Sequence, residues 1–279
     1  ICMISIELIR NQTESVLSAL QKRGEEFSLS GILELDTRRR EANHEADQLR
    51  AQRKEAGKGI ARMGNIPDDV RLKMRGVSEE IDRLDKSVEE LERQLRTLLL
   101  ELPNMPLQEV APGSSEQENM VILQSGDVSE PAFKPIPHWD LGERLGIIDF
   151  KRGARMSGSR FYVLTGKGAK LERALINWML DVHVDEHGYQ EIYSPALVKQ
   201  EIMEGSGNLP KFADNLYRDE EADLWLIPTA EVPLTGMHRD EIFEPGTLPV
   251  HYTAYTPCFR REKAAAGKDT RGIKRVHQF

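Results

Sequence analysis

Cysteine is scarce in this chain: its 279 residues hold two, Cys2 and Cys258. They form no CxxC or CxxxC pair, which excludes a disulfide framework or a cysteine-rich zinc site and fits a reducing cytosol. Long apolar runs are missing as well. None approaches the roughly 18–20 residues of a membrane span, and the opening ICMISIELIR lacks the basic-then-apolar pattern of an export signal. No GxGxxG or GxxxxGKS/T opens a helix, so a Rossmann or P-loop nucleotide site is disfavoured. His138, His183, His187, His251 and His277 are scattered and read as structural rather than metal-binding. A starting methionine is also missing, and no turn or cap follows Phe279. A piece of a longer protein is therefore expected, with Met3 as a candidate start.

What is present is enough for a sizeable core. The chain is 39% hydrophobic and 30% charged, and has room for about two domains at roughly 100–200 residues each. Its formal net charge is −8, yet Arg260 to Arg275 holds Arg260, Arg261, Lys263, Lys268, Arg271, Lys274 and Arg275 against Glu262 and Asp269. A cationic loop that opposes the sign of the whole molecule would attract polyphosphate or a nucleic-acid backbone.

The first half has a heptad period. After Ile32, apolar or long-stemmed residues recur at Leu35, Arg39, Ala42, Ala46, Leu49, Arg53, Ala56, Ile60 and Met63, the three-four spacing of a helical seam. A second seam runs through Val70, Met74, Val77, Ile81, Leu84, Val88, Leu91, Leu95, Leu98 and Leu102. Between them, Gly64 to Asp69 supplies turn and helix-start residues. Two helices, about 32–63 and 70–102, joined so briefly must run antiparallel, and at about 1.5 Å per residue each would reach on the order of 48 Å. An arm is expected. Arg39 and Arg53 interrupt its seam, their aliphatic stems snorkelling outward.

Charge on the arm leaves its role open. The first helix is mildly basic through Arg38, Arg39, Arg40, Arg50, Arg53, Lys54, Lys58 and Arg62, and the second is slightly acidic. A solvated coiled-coil surface and a rod touching RNA phosphates both fit. Prolines 103, 106 and 112 with Gly113, Ser114 and Ser115 then mark a linker between a domain at 1–106 and a body at 112–279. In the body, β-like runs at 160–164, 190–193, 223–227 and 251–255 surround a helix from about Lys170 to His187. Their uneven alternation predicts a mixed, mainly antiparallel α+β domain.

Several blocks in this order resemble the seryl-tRNA synthetases of bacterial type, within the class II aminoacyl-tRNA synthetases. The likeness rests on the arm, on His187 to Pro195 (similar to motif 1), on Gly205 to Phe212, on Pro228 to Thr235 (the serine loop) and on Phe259 to Phe279 (motif 2). It implies ATP-dependent activation of L-serine to seryl-adenylate and transfer to tRNA(Ser), with tRNA(Sec) as a further candidate, in a cytoplasmic homodimer formed through motif 1. It implies an incomplete antiparallel-sheet catalytic domain, with Mg²⁺ accompanying ATP. Arg260 matches the arginine that bridges substrate carboxylate and α-phosphate with its planar fork. Thr229, Ala230 and Glu231 match the serine-binding triplet. Arg261, Glu262, Val276 and Phe279 fall at the ATP site, Phe279 being the ring that stacks on adenine. Arg38, Arg39, Arg50, Arg53, Lys54, Lys268 and Arg271 are the expected tRNA contacts.

Plainer readings stand beside these. Thr229 and Glu231, between two prolines, could end a strand, and Arg260 with Glu262 could be a surface ion pair. A carrier-protein ligase related to the synthetases would lack the arm, and a coiled-coil interaction module would need neither the Thr229 triplet nor the Arg260 loop. Arg261 and Lys263 also depart from the small residues usual in the family, and could alter ATP or tRNA affinity. The chain stops before motif 3 and before an acidic residue expected shortly after Phe279. As written, it is expected not to form the adenylate at a useful rate.

Overall fold

The computed structural model describes residues 4–24, 26–60, 67–126, 131–263 and 270–279. The chain divides into two compact units, Cys2–Ser125 and Gly126–Phe279.

The first unit is helical. Two short helices, α1 (Ile6–Asn11) and α2 (Thr13–Gln21), precede the long α3 (Ser30–Ile60) and α4 (Asp68–Glu101). Ser5 caps α1, its hydroxyl accepting from the Leu8 amide at 3.1 Å, and Asp68 and Asp69 place negative charge at the N-terminal end of α4. Ile9, Val16, Leu20, Leu29 and Ile32 pack with Leu95 and Leu99 into one core at the root of the hairpin. Farther along, Ile81, Leu84, Val88 and Leu91 of α4 are buried.

The two seams bury unequally. On α3, Ala46 is buried and Leu35, Ala42 and Leu49 are half-buried, but Arg53 and Ala56 are exposed. Small residues explain this: Ala56 and Gly59 cannot fill the space opposite Val70, Met74 and Val77, and a groove of about 440 Å³ remains there. The expected turn at Gly64 to Ile66, and Met63 with it, lie outside the described residues. Asp36 was not legible as a core residue, yet it is 1% exposed. Arg10 (3.4 Å) and Arg39 (2.9 Å) meet its two oxygens, so a buried carboxylate is paired rather than stranded.

The second unit is α+β. It contains α5 (His138–Arg144), β1 (Ile148–Asp149), α6 (Phe150–Ser157), β2 (Val163–Leu164) and α7 (Lys167–Asp181), which runs on as a π-helical turn, Val182–Glu186. Then follow β3 (Gln190–Glu191), β4 (Leu197–Lys199), α8 (Gln200–Gly205), β5 (Arg218–Asp219), β6 (Leu224–Leu226), α9 (Glu231–Gly236) and β7 (Tyr252–Thr253). Strand pairing is antiparallel in β1–β2 and in β4–β6–β5, where Trp225 lies opposite both Val198 and Arg218. β3 and β7 pair in parallel. Val198, Met203, Leu209, Leu216, Trp225, Ile227 and Val232 form the core that carries the end of β6.

Candidate functional site

The Arg260 region is built on the end of β6. Past Leu226 the chain buries Ile227 and Pro228 and turns into α9 at Thr229 and Ala230. The Phe259 amide donates to the Ile227 carbonyl at 2.8 Å, laying residues 258–260 beside that end. Their other edge pairs with the C-terminal segment. Cys258 and Phe279 exchange both backbone bonds, at 2.7 and 3.0 Å, and the Arg260 amide donates to the His277 carbonyl at 2.9 Å. The His277 ring returns a bond from Nδ1 to the Arg260 carbonyl at 2.9 Å. Residues 258–260 and 277–279, which flank the cationic loop in sequence, are thus joined by main chain.

This closure brings distant side chains together. Arg260 Nε donates to the Pro228 carbonyl at 3.0 Å, and its guanidinium lies 4.9 Å from the centre of the Phe279 ring. Both Nη groups make no hydrogen bond among the described residues, so the outer fork remains open to a carboxylate or phosphate. Thr229 Oγ1 accepts from the Glu231 amide at 3.4 Å, a local contact that starts α9, and the Glu231 side chain is exposed. Ala230 lies against Cys258: its amide and the Arg260 charge favour the thiolate, but burial outweighs them and pushes the Cys258 thiol up.

Glu262 sits in the left-handed region, at φ +47, and its carboxylate accepts from Arg275 Nη1 at 2.6 Å. Arg261 departs from this cluster, its guanidinium 4.9 Å over the Tyr217 ring. Val276 is buried. Beside Phe279 lies a cavity of about 370 Å³ walled by Tyr162, Glu172, Tyr255 and Gln278. Burial, the Glu172 charge and Tyr255 together raise the Tyr162 phenol. A larger hollow of about 1040 Å³ lies within the first unit, where residues 106–122 fold over Lys22 and Arg23, but no candidate residue lines it.

The basic residues of α3 are unequal. Arg39 pairs with Asp36 (2.9 Å) and Glu92 (3.4 Å), and the Asp36 bond is the main cause raising its guanidinium pKa. Arg50 pairs with Asp47 at 2.9 Å and with Asp85. Arg53 reaches Ser78 at 3.4 Å. Arg38 and Lys54 have no ion pair among the described residues. Arg271 lies 5.4 Å over the Trp139 ring, and Lys268 falls outside the described residues.

Reading the sequence assigned no role to Tyr162, Glu172 or Asn215, and it placed Arg275 in the cationic run without its partner Glu262. Asn215 holds the Arg261 amide through its carbonyl (2.8 Å) and the Lys263 amide through Oδ1 (3.1 Å). Tyr162 and Glu172 lie on other elements, and only chain folding brings them to Phe279.

Comparison with known proteins adds the family. Residues 3–106 match the seryl-tRNA synthetase N-terminal domain, and residues 211–279 match the tRNA synthetase class II core domain (G, H, P, S and T). The chain is 51% identical to a serine–tRNA ligase of Thermomicrobium roseum and 49% identical to one of Herpetosiphon aurantiacus. Each match covers 99% of this chain, which spans 63% and 66% of those relatives' lengths. Among solved structures it is similar to seryl-tRNA synthetase from Pyrococcus horikoshii complexed with ATP, with TM-score 0.86 and 38% identity over 99% of this chain and 68% of that one. It is similar also to the cytoplasmic serine–tRNA ligase of Naegleria fowleri in complex with AMP, with TM-score 0.79 and 27% identity over 100% of this chain and 65% of that one.

Proposed function

Because this chain belongs to the seryl-tRNA synthetase family, we propose that it carries the RNA-binding hairpin and the motif 1 and motif 2 portions of a serine–tRNA ligase. In the first step the serine carboxylate attacks the α-phosphorus of ATP. A mixed carboxylic–phosphoric anhydride forms, the bond from the α-phosphorus to the oxygen bridging to the β-phosphorus breaks, and pyrophosphate leaves with the electron pair. Such a transfer depends on alignment and on neutralising charge as it develops. In the second step a hydroxyl of the terminal ribose of tRNA(Ser) attacks the seryl carbonyl: an ester forms, the bond from that carbonyl to the phosphate oxygen breaks, AMP leaves with the electron pair, and the hydroxyl proton passes to solvent.

One observation carries this reading: Arg260 stands between the Pro228–Thr229 turn and the Phe279 ring. A serine held at Thr229, Ala230 and Glu231 and an adenine stacked on Phe279 would then meet at the open Nη fork. Rejecting alanine would require a polar partner for the substrate hydroxyl, since such a partner left unpaired costs about 1–3 kcal/mol. Magnesium fits as a passenger on ATP. No three His, Cys, Asp or Glu side chains among the described residues converge as a metal cage, and Glu262, the nearby carboxylate, is taken up by Arg275. Bound there, the ion would offset triphosphate charge.

The remaining parts follow. Arg38, Arg53 and Lys54 of the hairpin would contact tRNA phosphates, as would Lys268 and Arg271 of the loop. A second copy would cover one face of α7, where Leu171, Leu175, Trp178 and Met179 recur at helical spacing and are exposed, together with the motif 1 Tyr193, 96% exposed. No described helix is long and apolar enough to cross a membrane, and the cytoplasm is the proposed location.

Serine-dependent exchange of pyrophosphate into ATP by the full-length gene product tests the first step. Deleting residues 32–102 should leave exchange intact and abolish transfer to tRNA(Ser). Loss of both, with folding preserved, would contradict this division of labour.

A further inference from the structure

Away from the Arg260 cluster, the far limb of the cationic loop meets the start of α5 through four contacts. The Ile273 amide donates to His138 Nε2 at 2.9 Å, across 135 residues of sequence. Gly272, at φ +67, approaches the same ring so closely that a Cβ would stand 2.1 Å from Nε2. The Arg271 guanidinium and the Lys274 ammonium lie 5.4 and 5.3 Å from the centre of the Trp139 ring. The two α5 rings brace each other edge to face at 5.0 Å. Shape, a main-chain hydrogen bond and charge all agree on one docked position for this limb.

We propose that His138 and Trp139 are positioning residues for the reaction, holding the Arg271–Arg275 limb in register. The proposal rests on the function argued above for the Arg260 site. Chain continuity makes the limb consequential: Arg275, next to Lys274, reaches Glu262 at 2.6 Å, and two residues later His277 pairs with Arg260. Slack at residues 271–274 is passed directly to both. His138 can accept from the Ile273 amide only with Nε2 unprotonated, so its N–H sits on Nδ1. Neither residue needs to touch a substrate.

Steady-state pyrophosphate exchange and limited trypsin digestion of the full-length gene product test this, using His138→Ala, His138→Gln, Trp139→Ala and Trp139→Phe. Loss of one hydrogen bond or of two cation–ring contacts should raise the KM for ATP by about tenfold, with kcat changed by less than about threefold. Cleavage after Arg271 and Lys274 should quicken. Glutamine keeps an acceptor near the Nε2 position and should restore both readouts, while phenylalanine keeps a ring and should restore most of the effect. Alanine variants with unchanged KM and unchanged cleavage would overturn the proposal, as would a folded His138→Gln protein as impaired as His138→Ala. If His138→Ala does not fold, the tryptophan pair decides: Trp139→Ala with unchanged KM and cleavage, or Trp139→Phe as impaired as Trp139→Ala, would overturn the proposal. Wild-type protein without serine-dependent exchange would instead sink the functional reading, and the cleavage comparison would still judge the clasp.

Discussion

The hairpin and the cationic loop both gather arginine and lysine, but they hold them in different ways. On α3, Arg39 and Arg50 end on carboxylates from their own helix and from α4. In the second unit, Arg260 and Arg261 lie over Phe279 and Tyr217. A carboxylate fixes a cation and neutralises it, whereas a ring fixes a cation and leaves its charge. Counting basic residues therefore overstates how much unmatched positive charge the hairpin carries. Arg38 and Lys54 have no ion pair among the described residues, unlike Arg39 and Arg50.

The largest expected effect lies on the ring-held side. Arg260→Lys in the full-length gene product should lower serine-dependent pyrophosphate exchange by about 10²–10³-fold, because an ammonium cannot reproduce a fork held by Pro228 on one side and open on the other. Near-normal exchange would mean that the cation over Phe279 is a surface feature. On the carboxylate-held side, Asp36→Ala should leave Arg10 and Arg39 without their shared acceptor and destabilise the first unit by about 2–3 kcal/mol. A thermal melt unchanged by that substitution would show the network to be dispensable.

Phe279→Leu keeps apolar bulk and removes the ring. Loss of stacking should raise the KM for ATP by about tenfold, and equal KM values would remove adenine from this position. The smallest effect compares two hairpin cations. Lys54→Ala should weaken tRNA(Ser) binding a few-fold and reduce the slope of log affinity against log salt by about one, whereas Arg50→Ala should do less on both counts because its charge is already matched. Titrations at several salt concentrations would separate them, and the reverse ranking would break the distinction between matched and unmatched charge.

Much of the fold was readable along the chain. The seam of α4 is buried where the heptad spacing put it, at Ile81, Leu84, Val88, Leu91 and Leu95. The β-like runs at 160–164, 190–193, 223–227 and 251–255 each contain a strand. The parallel pairing of β3 with β7 was not readable, because strand direction depends on how intervening segments travel. Nor was the opening of the hairpin beyond Ala46, where a regular spacing conceals the small volumes of Ala56 and Gly59.

By itself the sequence determined features set by neighbours three, four or seven residues apart: two long helices, their seams, the alternating runs of the second unit and the local concentration of positive charge. Tertiary structure alone decided which partner each of those charges received. Asp36 joins Arg10 and Arg39, Glu262 joins Arg275, Arg260 joins Phe279, and Ile273 binds His138 across 135 positions. The physical reason is that helix and strand periods arise from backbone geometry repeated residue by residue, whereas the state of a charge is set by whatever the folded chain brings within a few ångströms of it.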